Sequence, residues 1–307
     1  MIYTVTLNPS IDYVIYPNNT IKLGELNRFD KSHKSAGGKG INVSRILKQL
    51  NTENKALGFV GGHTGQLLTD LLSDENVETD FTSIKASTRI NVKVKGDQET
   101  EINDRGPRVT ESESADFYST LAHLAKNDLV VIAGSKPDGL SEDYYQNLID
   151  YVESKEADFI IDTTGKELQM ALSKKPFLVK PNIHELEDLY GVTLDTIDDI
   201  IPYGKKMLEA GAQHTIISLG EKGALFFIKE DVYYSAPPKG QLVNSVGSGD
   251  SMIAGFIGEY QKANNPLDAF KMSLACGSAT AFKEDLAKKE DISKLVSQIK
   301  IEKLEEK

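Results

Sequence analysis

The chain has 307 residues and only one cysteine, Cys276, so no disulfide can form within it. A reducing setting such as the cytoplasm is therefore expected. No run of 18 apolar residues occurs, which leaves no membrane-spanning helix to expect. Residues 1–5 lack the basic start and long apolar stretch of a signal peptide. Positive charge is also short, with 35 Lys and Arg against 46 Asp and Glu for a net charge of −11. An acidic surface repels nucleic acid and anionic membranes, so neither is an expected partner, although a few local cations can still hold a phosphorylated small molecule. The five histidines, at 33, 63, 123, 184 and 214, have no metal-ligand spacing, and no H-E-x-x-H occurs. The P-loop pattern G-x-x-x-x-G-K-[ST] is missing, and no G-x-G-x-x-G follows the first apolar run. These absences count against a P-loop enzyme and against a dinucleotide-dependent oxidoreductase.

What is present is an ordinary globular composition, 39% hydrophobic and 26% charged, in a chain long enough to bury a large core. Short apolar runs at 2–7, 56–60, 129–133, 159–161, 177–179, 215–219 and 224–228 read as strands buried on both faces. Helical spacings lie between them: Val43, Ile46, Leu47 and Leu50; Tyr145, Leu148, Ile149 and Val152; Ile253, Phe256, Ile257 and Tyr260. This alternation predicts an α/β fold with a mainly parallel sheet. Two stretches break it. Residues 11–16 follow the first strand with no helix between, and 88–95 alternate cleanly, Ile90, Val92 and Val94 on one face and Arg89, Asn91 and Lys93 on the other. Gly96-Asp97-Gln98 reads as a turn into 99–103. Together with 29–35 these pieces predict a small second sheet. One domain spanning 1–307 is expected, with a β lid formed by about 11–17, 29–36 and 88–104. The charged segment from Lys283 onward reads as a solvated helix or tail.

Four motifs invite chemistry. The stretch 36–42, AGGKGIN, is a glycine loop opening a helix, where free amides and the helix dipole can receive polar oxygens; a plain turn explains it equally well. The stretch 246–251, VGSGDS, places Gly247 and Gly249 ahead of another helix, an arrangement that makes an anion pocket. A carboxylate such as Asp250 weakens anion binding there, unless it serves to take a proton from an attacking hydroxyl; otherwise it caps the helix. In 180–185, KPNIHE, Asn182 and Glu185 have capping-box spacing, and the same oxygens suit a hydrated Mg²⁺. The stretch 218–224, SLGEKGA, is accounted for by a hairpin and leaves a nucleotide contact open. Cys276, among small residues of a helix, reads as packing.

The pair GGKGIN and GSGD, with N-x-x-E between them, resembles the ribokinase-like (PfkB-type) carbohydrate kinases over essentially the whole chain. Residues 6–12, TLNPSID, together with TRINVK at 88–93 and TEIN at 100–103, resemble the bacterial phosphosugar branch, which contains 1-phosphofructokinases and tagatose-6-phosphate kinases. The resemblance implies a three-layer α/β/α core with a small β-sheet lid, ATP and Mg²⁺, and phosphoryl transfer to a sugar phosphate. It implies D-fructose 1-phosphate as the acceptor, with tagatose 6-phosphate as the alternative. By the same resemblance Asp250 is the catalytic base, and the amides of Gly247, Ser248 and Gly249 form the anion hole. Asp12, Gly38, Lys39, Asn42 and Asn91 become sugar contacts, and Arg89, with help from Arg28, meets the phosphate already on the sugar. Asn182 and Glu185 organise Mg²⁺ through water. Ser218, Gly220, Glu221, Lys222, Gly223 and Gly249 contact the nucleotide, and part of the helix at 275–279 lies near the adenine. Ser248 stands where many relatives carry Ala, and Lys136 where an apolar residue is common; Lys136 is expected to face water. A homodimer through the lid is expected, since related kinases pair this way and the apolar face of 90–94 needs cover. From a different class, a non-catalytic sugar-phosphate-binding protein is the rival, against which an intact Asp250 counts.

Overall fold

The computed structural model describes residues 1–96 and 99–305. Its large sheet is built around β1 (Ile2–Thr6), flanked by β4 (Asn54–Gly61) and β9 (Leu129–Ala133), both parallel to it. Beyond β4 lie β5 (Glu78–Thr79) and β6 (Thr82–Ile84), which pair with different parts of that strand. Beyond β9 the parallel run continues through β10 (Asp158–Asp162), β11 (Leu178–Val179) and β12 (Thr215–Ser218). It then turns antiparallel through β13 (Ala224–Ile228), β14 (Asp231–Ser235) and β15 (Glu302–Leu304).

Because successive side chains of a strand point to opposite faces, a strand buried on both sides feeds two cores. Val130 and Ile132 of β9 enter one core with Phe59, Phe117, Leu148, Ile161 and Phe227, while Leu129, Val131 and Ala133 enter the other with Ile46, Phe226, Phe256 and Phe270. The first core is covered by α3 (Glu111–Thr120), α4 (Tyr144–Ser154), α5 (Gly165–Leu172), α6 (Ile183–Tyr190) and α7 (Ile197–Glu209). The second is covered by α1 (Lys39–Gln49), α8 (Ser248–Ala263), α9 (Pro266–Ala281) and α10 (Lys289–Val296). Near β4, α2 (Gly62–Asp74) packs Leu68 and Leu72 with Ala56 in a third, smaller cluster. The predicted α/β/α layering is what the chain forms.

The small sheet stands apart in the order β3 (Phe29–Gly37), β2 (Ser10–Pro17), β7 (Arg89–Lys95), β8 (Glu99–Ile102). β7 and β8 pair antiparallel, as the alternation suggested; Asp97 and Gln98, assigned to their turn, lie outside the described residues. The faces of β7 hold a surprise. Its polar residues Asn91 and Lys93 are buried, while Ile90 is 43% exposed. Both polar side chains are held by Asp12 of the adjacent strand β2, and Val94 on the other face is buried too.

The C-terminal region also departs from expectation. Far from being a solvated tail, it packs Ile292, Leu295 and Ile299 into the second core and adds β15 to the edge of the large sheet. Cys276 is fully buried and burial pushes its thiol up, in keeping with a packing role.

Candidate active site

The large sheet's parallel strands end on one side, where open α/β sheets receive ligands. There β1 hands over to the small sheet, and a cleft of about 620 Å³ opens between the two. Its core wall includes Thr6, Gly38, Lys39, Asn42, Asp162, Lys180, Asn182, Glu185, Gly247, Gly249 and Asp250, and its small-sheet wall Asp12, Arg89, Asn91 and Glu101, with Asn103 just beyond β8.

The two glycine motifs start the two helices that meet here. Gly38, the N-cap of α1, has φ 121°, and a Cβ on it would lie 2.5 Å from Thr6 Cγ2. Only glycine lets α1 begin so close to β1. Part of what AGGKGIN accomplishes is thus internal packing, since Thr6 Oγ1 also accepts from the Ile41 amide at 2.9 Å. Gly247 is the left-handed N-cap of α8, φ 78°. It turns the chain so that Asp250, in the first helical turn and 6% exposed, reaches the cleft.

Asn42 of α1 donates through Nδ2 to Asp250 Oδ2 at 2.8 Å, linking the two motifs. The amide of Ser248 already donates to the Ser245 carbonyl at 3.2 Å. Among the described residues the donors left free at this helix start are therefore the amides of Gly247, Gly249 and Asp250. This corrects the expected trio. Ser248 does not line the cleft, and its buried hydroxyl has no partner among the described residues.

Two groups that the sequence reading passed over complete the wall. Asp162, the last residue of β10, accepts a 3.0 Å hydrogen bond from Lys39 Nζ. Lys180, buried just after β11, reaches the start of α8: its Nζ lies 3.0 Å from where a Cβ on Gly249 would be. Burial pushes Asp250 up to about 6, reinforced by the charge of Asp162 and opposed by Asn42, Lys39 and Lys180. Burial also works against Asp162, but Lys180 and Lys39 outweigh it and hold that carboxyl below its ordinary value. For Lys39 burial works against the charge, yet Asp162, Asp250 and Glu185 together keep the ammonium above its usual range.

On the opposite wall Asp12 is held by Lys93 Nζ at 2.9 Å, Ser10 Oγ at 2.8 Å and Asn91 Nδ2 at 3.3 Å. Arg89 donates to the backbone carbonyls of Asp104 at 2.8 Å and Asn8 at 2.9 Å. It has no ion-pair partner among the described residues, and burial lowers its affinity for the proton against the pull of Asp12 and Asp104. A half-buried guanidinium served only by neutral carbonyls suits an anionic ligand.

Asn182 and Glu185 form the capping box that their spacing suggests, each side chain accepting from the other's backbone amide at 2.9 Å, and both still line the cleft. No cluster of three or more His, Cys, Asp or Glu that could cage a metal occurs among the described residues. Ser218 ends β12 and bridges Asn182, and Gly220–Lys222 turns the chain into β13, the hairpin read from sequence. Ser218, Gly220, Glu221, Lys222 and Gly223 do not line the cleft. Arg28 is not in it either; it is exposed beside a separate hollow of the loop between β2 and β3. Lys136 does not simply face water: it donates to the carbonyls of Ser141 at 3.1 Å and Glu142 at 2.7 Å, fastening its own loop.

Residues 5–292 match the pfkB family of carbohydrate kinases. The chain is 44% identical to a 1-phosphofructokinase of Bacillus subtilis over 304 residues, 99% of this chain and 100% of that protein. It is 31% identical to a D-tagatose-1-phosphate kinase of Bacillus licheniformis, over 98% of this chain and 99% of that one. The fold is similar to that of phosphofructokinase-2 from Escherichia coli solved with substrates and products, TM-score 0.90 at 28% identity, covering 96% of this chain and 98% of that one.

Proposed function

The chain belongs to the pfkB family of carbohydrate kinases, and from that premise we propose that it phosphorylates D-fructose 1-phosphate on its 6-hydroxyl, giving D-fructose 1,6-bisphosphate. It is a phosphotransferase acting on an alcohol group, with ATP as co-substrate. The observation that carries the reading is the opposition of two groups across one cleft: a buried carboxylate beside the free amides of α8, and a guanidinium on β7 that has no counter-ion among the described residues.

In this reading Arg89 holds the phosphate at C1 and directs the far end of the sugar toward Asp250. The C6 oxygen attacks the γ-phosphorus of ATP, the bond to the bridging oxygen of ADP breaks, and the hydroxyl proton passes to Asp250. Phosphoryl transfer runs through a loose transition state with charge spread over the equatorial oxygens, so fixed donors matter most. The amides of Gly247, Gly249 and Asp250, with Lys180 beside them, supply those donors. Asp12 and Asn42 meet sugar hydroxyls, and the small sheet acts as a lid that keeps water from ATP. Ser218 and the turn at Gly220–Lys222 reach the nucleotide from beyond Asn182. The oxygen donors Asn182 and Glu185 are too few to cage Mg²⁺ and fit a hydrated ion held through water, which would neutralise the polyphosphate when bound.

A second reading, tagatose phosphate as acceptor, is favoured by the 31% identical relative, named for the 1-phosphate rather than the 6-phosphate. A coupled kinase assay with fructose 1-phosphate, fructose 6-phosphate, tagatose 1-phosphate and tagatose 6-phosphate decides between them. A kcat/KM tenfold or more in favour of either tagatose ester overturns the acceptor while leaving the kinase. A homodimer through the lid belongs to the same proposal. Leu23, Leu26, Phe29, Ile90 and Ile102 are exposed apolar residues on or beside the small sheet, and a patch of that kind calls for a partner surface. Light scattering that finds a monomer at micromolar concentration rejects the dimer.

A further inference from the structure

Two carboxylates are buried in the core wall of the cleft, and the mechanism employs only Asp250. Asp162 closes a strand otherwise filled by Phe159, Ile160 and Ile161, and is only 6% exposed. Carboxylates are rarely buried without a task, because their desolvation is recovered only by close partners. Its hydrogen-bonded partner is Lys39, the first residue of α1. One turn along the same helix Asn42 binds Asp250. The start of α1 therefore sends one side chain to each carboxylate, a cation to Asp162 and a neutral amide to Asp250.

Resting on the kinase reading above, we propose that Asp162 is a positioning residue: it anchors the Lys39 ammonium on its own side of the cleft, so that Asp250 stays free to accept the proton of the acceptor hydroxyl. Without that anchor the lysine side chain is free to swing toward Asp250, the other buried carboxylate lining the cleft, and an ion pair formed there would quench the base. The charges around Asp250 are consistent with this division. From α1 it faces Asn42 and Lys39, from β10 Asp162, and from the segment before α6 Lys180, while Glu185 of α6 acts on Lys39. Asp162 raises the proton affinity of Asp250, and the two lysines lower it.

The test is the pH profile of kcat/KM for Asp162→Asn and Lys39→Met beside the wild-type chain. With Asp162→Asn the lysine loses its anchor and Asp250 loses a neighbouring negative charge. The acid limb is expected to move down by about one pH unit, with kcat reduced about 10- to 100-fold at neutral pH. Lys39→Met removes the competing cation, and its acid limb is expected to move up. An acid limb that stays in place with Asp162→Asn overturns the proposal. So does a double variant Asp162→Asn/Lys39→Met that turns over no faster than Asp162→Asn, because a released lysine is then not the cause of the loss; a double variant that regains turnover supports the proposal. Should Asp162→Asn fail to fold, Asp162→Ser takes its place in the same pair. A wild-type chain that transfers phosphate to none of the four phosphosugars defeats the kinase reading itself, a failure distinct from an unmoved limb in an active enzyme.

Discussion

The two walls of the cleft solve the handling of charge in opposite ways. The core wall buries two carboxylates and Lys180, with a half-exposed Lys39 close enough to act on both carboxylates, and its remaining donors are backbone amides at a helix start. The small-sheet wall uses side chains at every second residue of β7, and among the described residues its Arg89 is served only by carbonyls. The core wall is thus fixed by backbone course and mutual compensation. The small-sheet wall is fixed by residue identity and holds a charge in reserve for what arrives. Under the proposed function, reaction type belongs to the first wall and choice of acceptor to the second.

This contrast is easiest to break at Asp250. Asp250→Asn is expected to lower kcat by at least about 10²-fold, the usual minimum for losing a general base, while substrate binding survives. Near wild-type turnover in a steady-state assay would leave the core wall without its assigned chemistry. On the other wall, Arg89→Ala is expected to raise KM for the phosphosugar by roughly 10- to 150-fold, the range for a charge-assisted hydrogen bond to phosphate, with KM for ATP nearly unchanged. Equal rises in both would mean that the walls do not divide the substrates. A smaller effect comes with pH. Since burial holds Asp250 at about 6, kcat/KM should fall on the acid side of that value as the base takes up a proton. A profile that stays flat down to the ordinary carboxylate range would assign the base elsewhere. The smallest effect is expected at Ser248→Ala. Its hydroxyl is buried without a partner among the described residues, so removing it should leave kcat in place and Tm equal or slightly higher. A large loss of activity there would mean that the core wall reads side chains after all.

The same contrast explains what could be read from the sequence. The layered fold was legible because doubly buried strands such as 129–133 and 224–228 are unbroken apolar runs, and α1, α6 and α8 begin at the cleft in glycine or capping signals. GGKGIN and GSGD stood out because a helix start pressed against a strand needs glycine, and one turned through a left-handed residue is most readily made with it. Asp162 and Lys180 did not stand out. Each is a single charge at the end of an apolar strand, and a lone charge at that place usually marks nothing more than the end of burial. On β7 alternation gives the two faces, but burial also depends on the adjacent strand, where Asp12 of β2 takes Lys93 and Asn91. The strand at Glu302–Leu304 is short and charged, and only its pairing with β14 makes it a strand.

The position of β1 between β4 and β9 has a consequence for how the protein is made. Strands β9 to β15 are laid side by side in the order in which they are synthesised, each with a neighbour already waiting. β1 is the exception. It gains one partner at Asn54–Gly61, but its other edge stays open until Leu129–Ala133 has emerged. A nascent chain halted between those points carries an unpaired strand edge made of Ile2, Tyr3, Thr4, Val5 and Thr6, the kind of edge that recruits other chains. Ribosome-bound intermediates of that length are where chaperone dependence should concentrate, and it should fall once β9 is out.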